Sequence, residues 1–368
     1  MPKIENVIDT TENCRYCLMC RHVCPVGFVT AKETLTPHGW GLTVASHRRG
    51  LVEWNPDTVG VMYSCADCGT CRAHCVTDQP LPAAIAATRA EIAAEGLAPE
   101  IVYQLKEKME QFGSPYADAA PAGGGGQTGD AALFVGDEAY YNAPETVEAA
   151  LKLLKAAGVE PVLVGVGRNN GYLASSLGFP ELATSLAEAT LDEIAQAGAK
   201  TVFVLSPGDL FAFVKMWEER LGIEWPEDVN VVEVIPFLAS KLAAGEIAFK
   251  RGEAGGPPWA YLDPSHTVRV PERVDAPRAL LGAVMPMGFK EVYWRRERAH
   301  PTGNNALQWT QPHISRHLTY ARLGGAAEAG ARRVITEDPG GLAQLRRYAP
   351  TFHLEVAGLY ELLAEHIA

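Results

Sequence analysis

Eight cysteines, all before residue 76 of a 368-residue chain, constrain this protein more than any other feature. They fall into two copies of one spacing, Cys14-x2-Cys17-x2-Cys20-x3-Cys24-Pro25 and Cys65-x2-Cys68-x2-Cys71-x3-Cys75. Three thiolates at x2 spacing can wrap three corners of a cubane along one tight loop, with the loop amides turned towards the sulfides. The fourth cysteine sits too far along to close the same corner set. Disulfides are the ordinary use of many cysteines in a small secreted domain. Structural zinc prefers paired C-x2–4-C knuckles to a triple plus one. The spacing fits both poorly and fits [4Fe–4S] clusters well. Val76 stands where the second motif would carry its own proline. Its absence is expected to leave that cluster more exposed without preventing ligation.

The chain is long enough for two or three domains. A net charge of -12 makes nucleic acid and anionic membrane surfaces poor partners. The most apolar run, 279–289, is broken by Gly282, Pro286 and Gly288, well short of the roughly 18 residues of a membrane span. The N-terminus has no apolar signal core. The expectation is a soluble, cytoplasmic protein that meets a membrane only through a partner.

Residues 1–113 form the cysteine-bearing module and its trailing helical segment, where Ile85, Ile92, Ile101, Leu105 and Met109 recur at helical spacing over 82–110. Residues 114–130 read as a flexible linker by composition. Their four consecutive glycines do not precede Lys-Ser/Thr, so they are no phosphate loop. Beyond them strands and helices alternate. Strands are expected at 132–136, 161–165, 201–205, 259–262, 292–294 and 334–336, with helices at 144–158, 181–198 and 209–222. This pattern predicts an α/β architecture with a largely parallel sheet. A weak internal repeat keeps its order. Ser206-Pro207-Gly208 matches Asp338-Pro339-Gly340, Asn169-Asn170 matches Asn304-Asn305, and Ile235-Pro-Phe-Leu is aligned with Val356-Ala-Gly-Leu. Two similar halves follow, 131–255 and 256–368.

The cysteine spacing resembles that of two-cluster ferredoxins, in which the last cysteine of each run ligates the other cluster. Carried over, the first cluster takes Cys14, Cys17, Cys20 and Cys75, and the second Cys65, Cys68, Cys71 and Cys24, close enough for fast tunnelling. Forty residues separate the motifs, Cys24 to Cys65, more than in small ferredoxins. The gap resembles the α-helical ferredoxin modules of larger oxidoreductases. Within it, Trp40 and Trp54 read as core and Arg48-Arg49 as a solvated turn.

The whole chain resembles the iron–sulfur subunits related to the glycolate oxidase iron–sulfur subunit and to the C and B subunits of heterodisulfide reductase. In that family a two-cluster helical module precedes two cysteine-rich CCG domains. Here the surroundings of the CCG ligands persist but the thiols do not. Val135-Gly136-Asp137 stands for the lone cysteine, Asn169-Asn170-Gly171 for Cys-Cys-Gly, and Ser206-Pro207-Gly208-Asp209 for Cys-Pro-x-Cys. In the second half the positions are Asp263-Pro264-Ser265-His266, Asn304-Asn305-Ala306 and Asp338-Pro339-Gly340-Gly341. Asn, Ser and Asp are poor ligands for soft iron–sulfide.

The resemblance implies an α+β protein: an N-terminal helical ferredoxin-like module and a C-terminal duplicated, degenerate CCG domain of α/β type. It implies a relay of single electrons between a flavin-containing dehydrogenase and another carrier, such as an electron-transfer flavoprotein, within a hetero-oligomer. No catalytic residue is expected, and no G-x-G-x-x-G follows a strand. The alternative is a self-contained oxidoreductase, or a small-molecule or flavin pocket, around Asn169, Asn304 and His266. A hard-metal site would use Asp137, Asp209, Asp263, Asp338 and His266.

Overall fold

A computed structural model describes residues 4–119, 121, 127–252 and 256–368. Before residue 131 the regular structure of the described chain is all helical. Helices Pro25–Thr30, Pro37–Arg48 and Pro56–Met62 each open on a proline, whose fixed φ suits the first helical position and whose missing N–H costs nothing there. Thr36 caps the second by accepting from the Gly39 amide, and Asn55 with Thr58 forms a capping box on the third. The helical run expected over 82–110 is two helices, Leu81–Ala94 and Glu100–Phe112. Gly96, at φ 75°, and Pro99 break it. Trp40 is buried and donates its indole N–H to Ser64 Oγ. Trp54 is buried and stacks on His47. Arg48 and Arg49 make ion pairs with Asp9 and Glu12 at the surface.

The segment expected to be a linker is packed at its start. Ser114 and Ala117 are fully buried, and the Ser114 hydroxyl donates to Asp137 Oδ2 at 3.2 Å. Residues 120 and 122–126 of that segment lie outside the described residues.

The rest of the chain builds two four-stranded parallel sheets. The first comprises β1 (Ala131–Val135), β2 (Val162–Val166), β3 (Thr201–Val204) and β4 (Asn230–Glu233), in the order β2-β1-β3-β4. The second comprises β5 (Trp259–Tyr261), β6 (Lys290–Glu291), β7 (Arg333–Thr336) and β8 (Glu355–Gly358), in the matching order β6-β5-β7-β8. The shared order is the structural form of the repeat. Strand pairing also corrects the alignment within it. Val202 pairs with Val231, and Val334 with Val356, so Val356 is the counterpart of Val231 and not of Ile235. The strand expected at 292–294 lies at Lys290–Glu291, and β4 and β8 were not expected. These three are short edge strands, partly exposed, and lack the buried apolar run that marks β1 and β3.

The helix expected over 209–222 begins at Pro207 and turns π-helical over Ala212–Leu221, ending on left-handed Gly222. Arg273 ties the halves. Its guanidinium pairs with Glu233, at the end of β4, at 2.7 Å, and with Glu337, just past β7, at 2.6 Å. All three side chains are almost wholly buried. Among the described residues no helix is long and apolar enough to cross a membrane.

Candidate metal centres and the cavity between the halves

The eight cysteines gather into two groups of four. Cys14, Cys17, Cys20 and Cys75 line one partly open pocket. Cys24, Cys65, Cys68 and Cys71 line a smaller neighbour of about 270 Å³. Cys71 faces both pockets, so the two adjoin. Burial pushes the Cys20 thiol up to about 11, and Cys14, Cys75 and Cys17 add to the shift. Burial likewise raises Cys71, with Cys65, Cys68, Cys24 and Cys20 contributing. Each fourth cysteine has thus crossed to the other motif's triple. None of the eight is in a disulfide.

The loops themselves are duplicated in conformation. Tyr16 and Leu18 sit at φ 55° and 61°, and Asp67 and Gly69, at the same motif positions, at 49° and 80°. A left-handed non-glycine residue costs on the order of 1–2 kcal/mol, yet the first loop has two and the second one. The conformation turns backbone N–H groups towards sulfur: Tyr16 N donates to Cys14 Sγ and Asp67 N to Cys65 Sγ, each at 3.4 Å. A single tetrahedral ion holds its thiolates about 2.3 Å from one point, and among the described residues no three or more Cys, His, Asp or Glu converge that way. Two groups of four thiols, each met by a loop amide, are a donor set of the kind that cubane clusters use.

The two sites differ in exposure. Cys17 is exposed and Cys14, Cys20 and Cys75 half-buried, while all four cysteines of the second group are buried. Val76 is 77% exposed. It follows Cys75, which belongs to the more exposed group, and not the buried cysteines of the second motif's own triple.

The second loop is held by donors from elsewhere. Arg89 donates to the carbonyls of Met62 and Cys65, Arg269 to those of Asp67 and Cys68, Tyr172 to Asp67 O and Asn305 to Ala66 O. Asp67 pairs with Arg220 through both carboxylate oxygens, at 2.7 and 2.8 Å. Burial opposes ionisation of Asp67, but Arg220 and then Arg269 hold it well below the usual carboxylate range. Sequence reading missed all of these arginines. The only local signal was an Asp inside the Cys65–Cys68 spacing, which needs a cationic partner if buried.

Between the halves lies a cavity of about 860 Å³, walled by the loops that follow the strands. Asp137, Asn169-Asn170 and Ser206–Asp209 come from the first half; Ser265-His266, Asn304-Asn305 and Asp338 come from the second. The positions matched to CCG ligands therefore do converge. Strand register makes Asp137 the counterpart of Ser265, since β1 Ala132 pairs with Val202 as β5 Ala260 pairs with Val334. Of the hard-metal set, Asp137, Asp209, Asp338 and His266 line the cavity and Asp263 does not. It is buried outside, and its two carboxylate oxygens accept from Arg278, each at 2.8 Å. Among the described residues no three or more of these groups form a site for a metal ion.

Amides and carboxylates pair inside the cavity. Asn169 Nδ2 donates to Asp137 (3.1 Å), Asn170 Nδ2 to Asp209 (2.9 Å) and Asn304 Nδ2 to Asp338 (3.2 Å). Ser206 and Asp338 cap their helices by accepting from the amides three residues on. Burial pushes Asp137 and Asp338 up to about 6 and Asp209 to about 7. Glu138, which lines the cavity unheralded by any motif, is raised by burial and by Asp338. His266 is held neutral, near 3, first by burial and then by Arg269. Its Nε2 is 3.1 Å from the Tyr172 hydroxyl, which donates to Asp67 O, so Nε2 carries the proton. This chain joins the cavity wall to the second cysteine loop.

A carboxyl whose pKa is raised on folding makes its full contribution to stability below the unfolded value and loses it as pH rises through the folded value. The folded value of Asp209, about 7, lies above its unfolded value near 3.8, so the loss spans that window. Asp209→Asn should therefore gain stability over the parent as pH rises from about 4 to about 7, then hold a constant margin. Thermal midpoints of both proteins across that range check it; a margin independent of pH counts against a protonated Asp209.

No protein-family model matches the sequence, and no curated protein matches it. Among solved structures the chain is similar to a hypothetical protein from Helicobacter pylori, with a TM-score of 0.61 at 9% identity over 92% of this chain and 70% of that one. At that identity the likeness concerns the fold alone. A glutamate racemase isoform from Bacillus anthracis aligns at 14% identity over 64% of this chain and 78% of that one, with a TM-score of 0.30, too low to carry an argument.

Proposed function

We propose that the chain is an electron-transfer protein with two [4Fe–4S] clusters, one held by Cys14, Cys17, Cys20 and Cys75 and the other by Cys24, Cys65, Cys68 and Cys71. In this reading it is the cytoplasmic iron–sulfur subunit of a flavin-linked complex, related to the glycolate oxidase and heterodisulfide reductase subunits. It would take electrons from a flavin-containing dehydrogenase and pass them to another carrier, such as an electron-transfer flavoprotein. The observation that carries the reading is the crossed grouping of eight cysteines into two adjoining sets of four. When bound, such clusters exchange one electron at a time and so complement the two-electron chemistry of a flavin.

The protein's own residues serve that role in distinct ways. The loop amides donate to sulfur and stabilise thiolate charge. The open rim of the first pocket carries Tyr16 and Met19, 58% and 48% exposed, an apolar edge on which a redox partner can seat close to the site. Trp40 and Val26, both buried, line the second site and keep water from it. Anaerobic reductive titration of the purified chain, followed by electron paramagnetic resonance, should consume about two one-electron equivalents per chain. A chain that takes up none sinks the relay.

The cavity of about 860 Å³ favours a second reading, a small-molecule or flavin pocket in a self-contained oxidoreductase. Among the described residues its lining has four carboxyl groups and no Lys or Arg, which disfavours anionic substrates such as flavin phosphates. Turnover of a substrate by the isolated chain would select this reading over the relay.

A further inference from the structure

The buried charges around the second cysteine loop point to a purpose for the C-terminal halves. Helix Leu81–Ala94 delivers Arg89, the first half delivers Arg220, and the second half delivers Arg269. Side-chain exposure is 6% for Arg220, 10% for Arg269 and 4% for Asp67. Three guanidiniums against one carboxylate leave two positive charges in excess beside Cys65 and Cys68. Arg269 reaches the loop because position 69 is glycine: a Cβ there would collide with its guanidinium, which also lies 3.9 Å above the Phe211 ring. Neutral donors such as Tyr172 and Asn305 serve the Asp67 and Ala66 carbonyls, whereas the Cys65 and Cys68 carbonyls accept from Arg89 and Arg269.

A cluster bound by four thiolates becomes more negative on reduction. Burial disfavours that added charge. Buried cations stabilise it, and inside the protein they act with little screening. We propose that Arg89, Arg220 and Arg269 hold the reduction potential of the cluster at Cys24, Cys65, Cys68 and Cys71 above the value that burial alone would set, so that the C-terminal halves act as an electrostatic clamp on the second centre. The inference rests on the two-cluster reading. Among the described residues, the first pocket is lined by a single lysine or arginine, Arg15.

The test is a redox titration of the full-length chain and its variants, read by electron paramagnetic resonance, with the two centres assigned by the loss of one signal in Cys75→Ser. A unit charge about 10 Å away at an effective dielectric constant near 20 changes an equilibrium roughly tenfold. Arg269→Gln should therefore lower the midpoint of the second centre by about tenfold in the oxidised-to-reduced ratio, which is about 59 mV for a one-electron couple. Arg269→Lys should retain most of the parent value. Asp67→Asn removes the lone negative charge and should raise the midpoint by a similar factor. The first centre should move much less in all three.

Opposite signs from Arg269→Gln and Asp67→Asn are the signature of charge, because a merely loosened loop would move both the same way. Shifts of the same sign, or midpoints unmoved with iron retained, overturn the inference while leaving the relay intact. If Arg269→Gln loses the second centre, Asp67→Asn decides alone, and a midpoint unchanged or lowered there overturns it. A parent chain without iron removes the relay reading, and this inference with it.

Discussion

Cys75→Ser is expected to abolish the first [4Fe–4S] centre and spare the second, reducing iron from about eight to about four per chain. Cys75 follows the second motif in sequence, yet it lines the pocket of Cys14, Cys17 and Cys20. The complementary change, Cys24→Ser, should remove the buried second centre, because Cys24 lies among Cys65, Cys68 and Cys71. The spectra distinguish the two losses. The signal that survives in Cys75→Ser should be the one shifted by Asp67→Asn, since Asp67 lies in the second loop. If each motif closed on itself, Cys75→Ser would instead leave the centre that Asp67→Asn does not shift. Iron analysis paired with electron paramagnetic resonance of both variants decides between crossed and local ligation.

Arg273→Ala is expected to cost about 3–5 kcal/mol of stability, the usual consequence of leaving a buried charge without its partner. Here the arginine serves two carboxylates, Glu233 from the first half and Glu337 from the second. Glu233 is already pushed up to about 7 by burial despite Arg273. Without the guanidinium its folded value rises further above the ordinary 4.5. A carboxyl raised on folding costs stability above its unfolded value and little below it, so the loss should be larger at pH 8 than at pH 5. Denaturant unfolding of parent and variant at the two pH values measures this. A loss under 1 kcal/mol at pH 8 would show that the halves do not depend on this network.

Much of this was legible in the sequence, and the reasons are particular. The cysteine spacing was informative because ligands on one tight loop are fixed by local geometry. The strong strands β1 and β3 were legible because both are buried apolar runs, and the repeated Pro-Gly turns after β3 and β7 marked the duplication. The edge strands β4, β6 and β8 carry partly exposed residues at their ends and gave no such signal. The family resemblance marked the loop positions that converge on the cavity, whereas the hard-metal set took in Asp263, which lies outside it. Nothing local distinguishes that aspartate, and its fate is decided by Arg278, fifteen residues on. Arg220 and Arg269 were invisible for the same reason. They lie 153 and 202 residues from Asp67, and only tertiary packing makes them its partners. The composition of 114–130 gave no sign that its first residues, Ser114 and Ala117, are buried.

The most direct measurement of the central claim is iron and acid-labile sulfide in the chain purified without oxygen. Two cubanes require about eight of each per chain, with a broad visible absorbance that bleaches on reduction. About one or two zinc ions and no sulfide, or no metal with eight titratable thiols, would contradict the relay and leave the cysteine groups without the role argued for them.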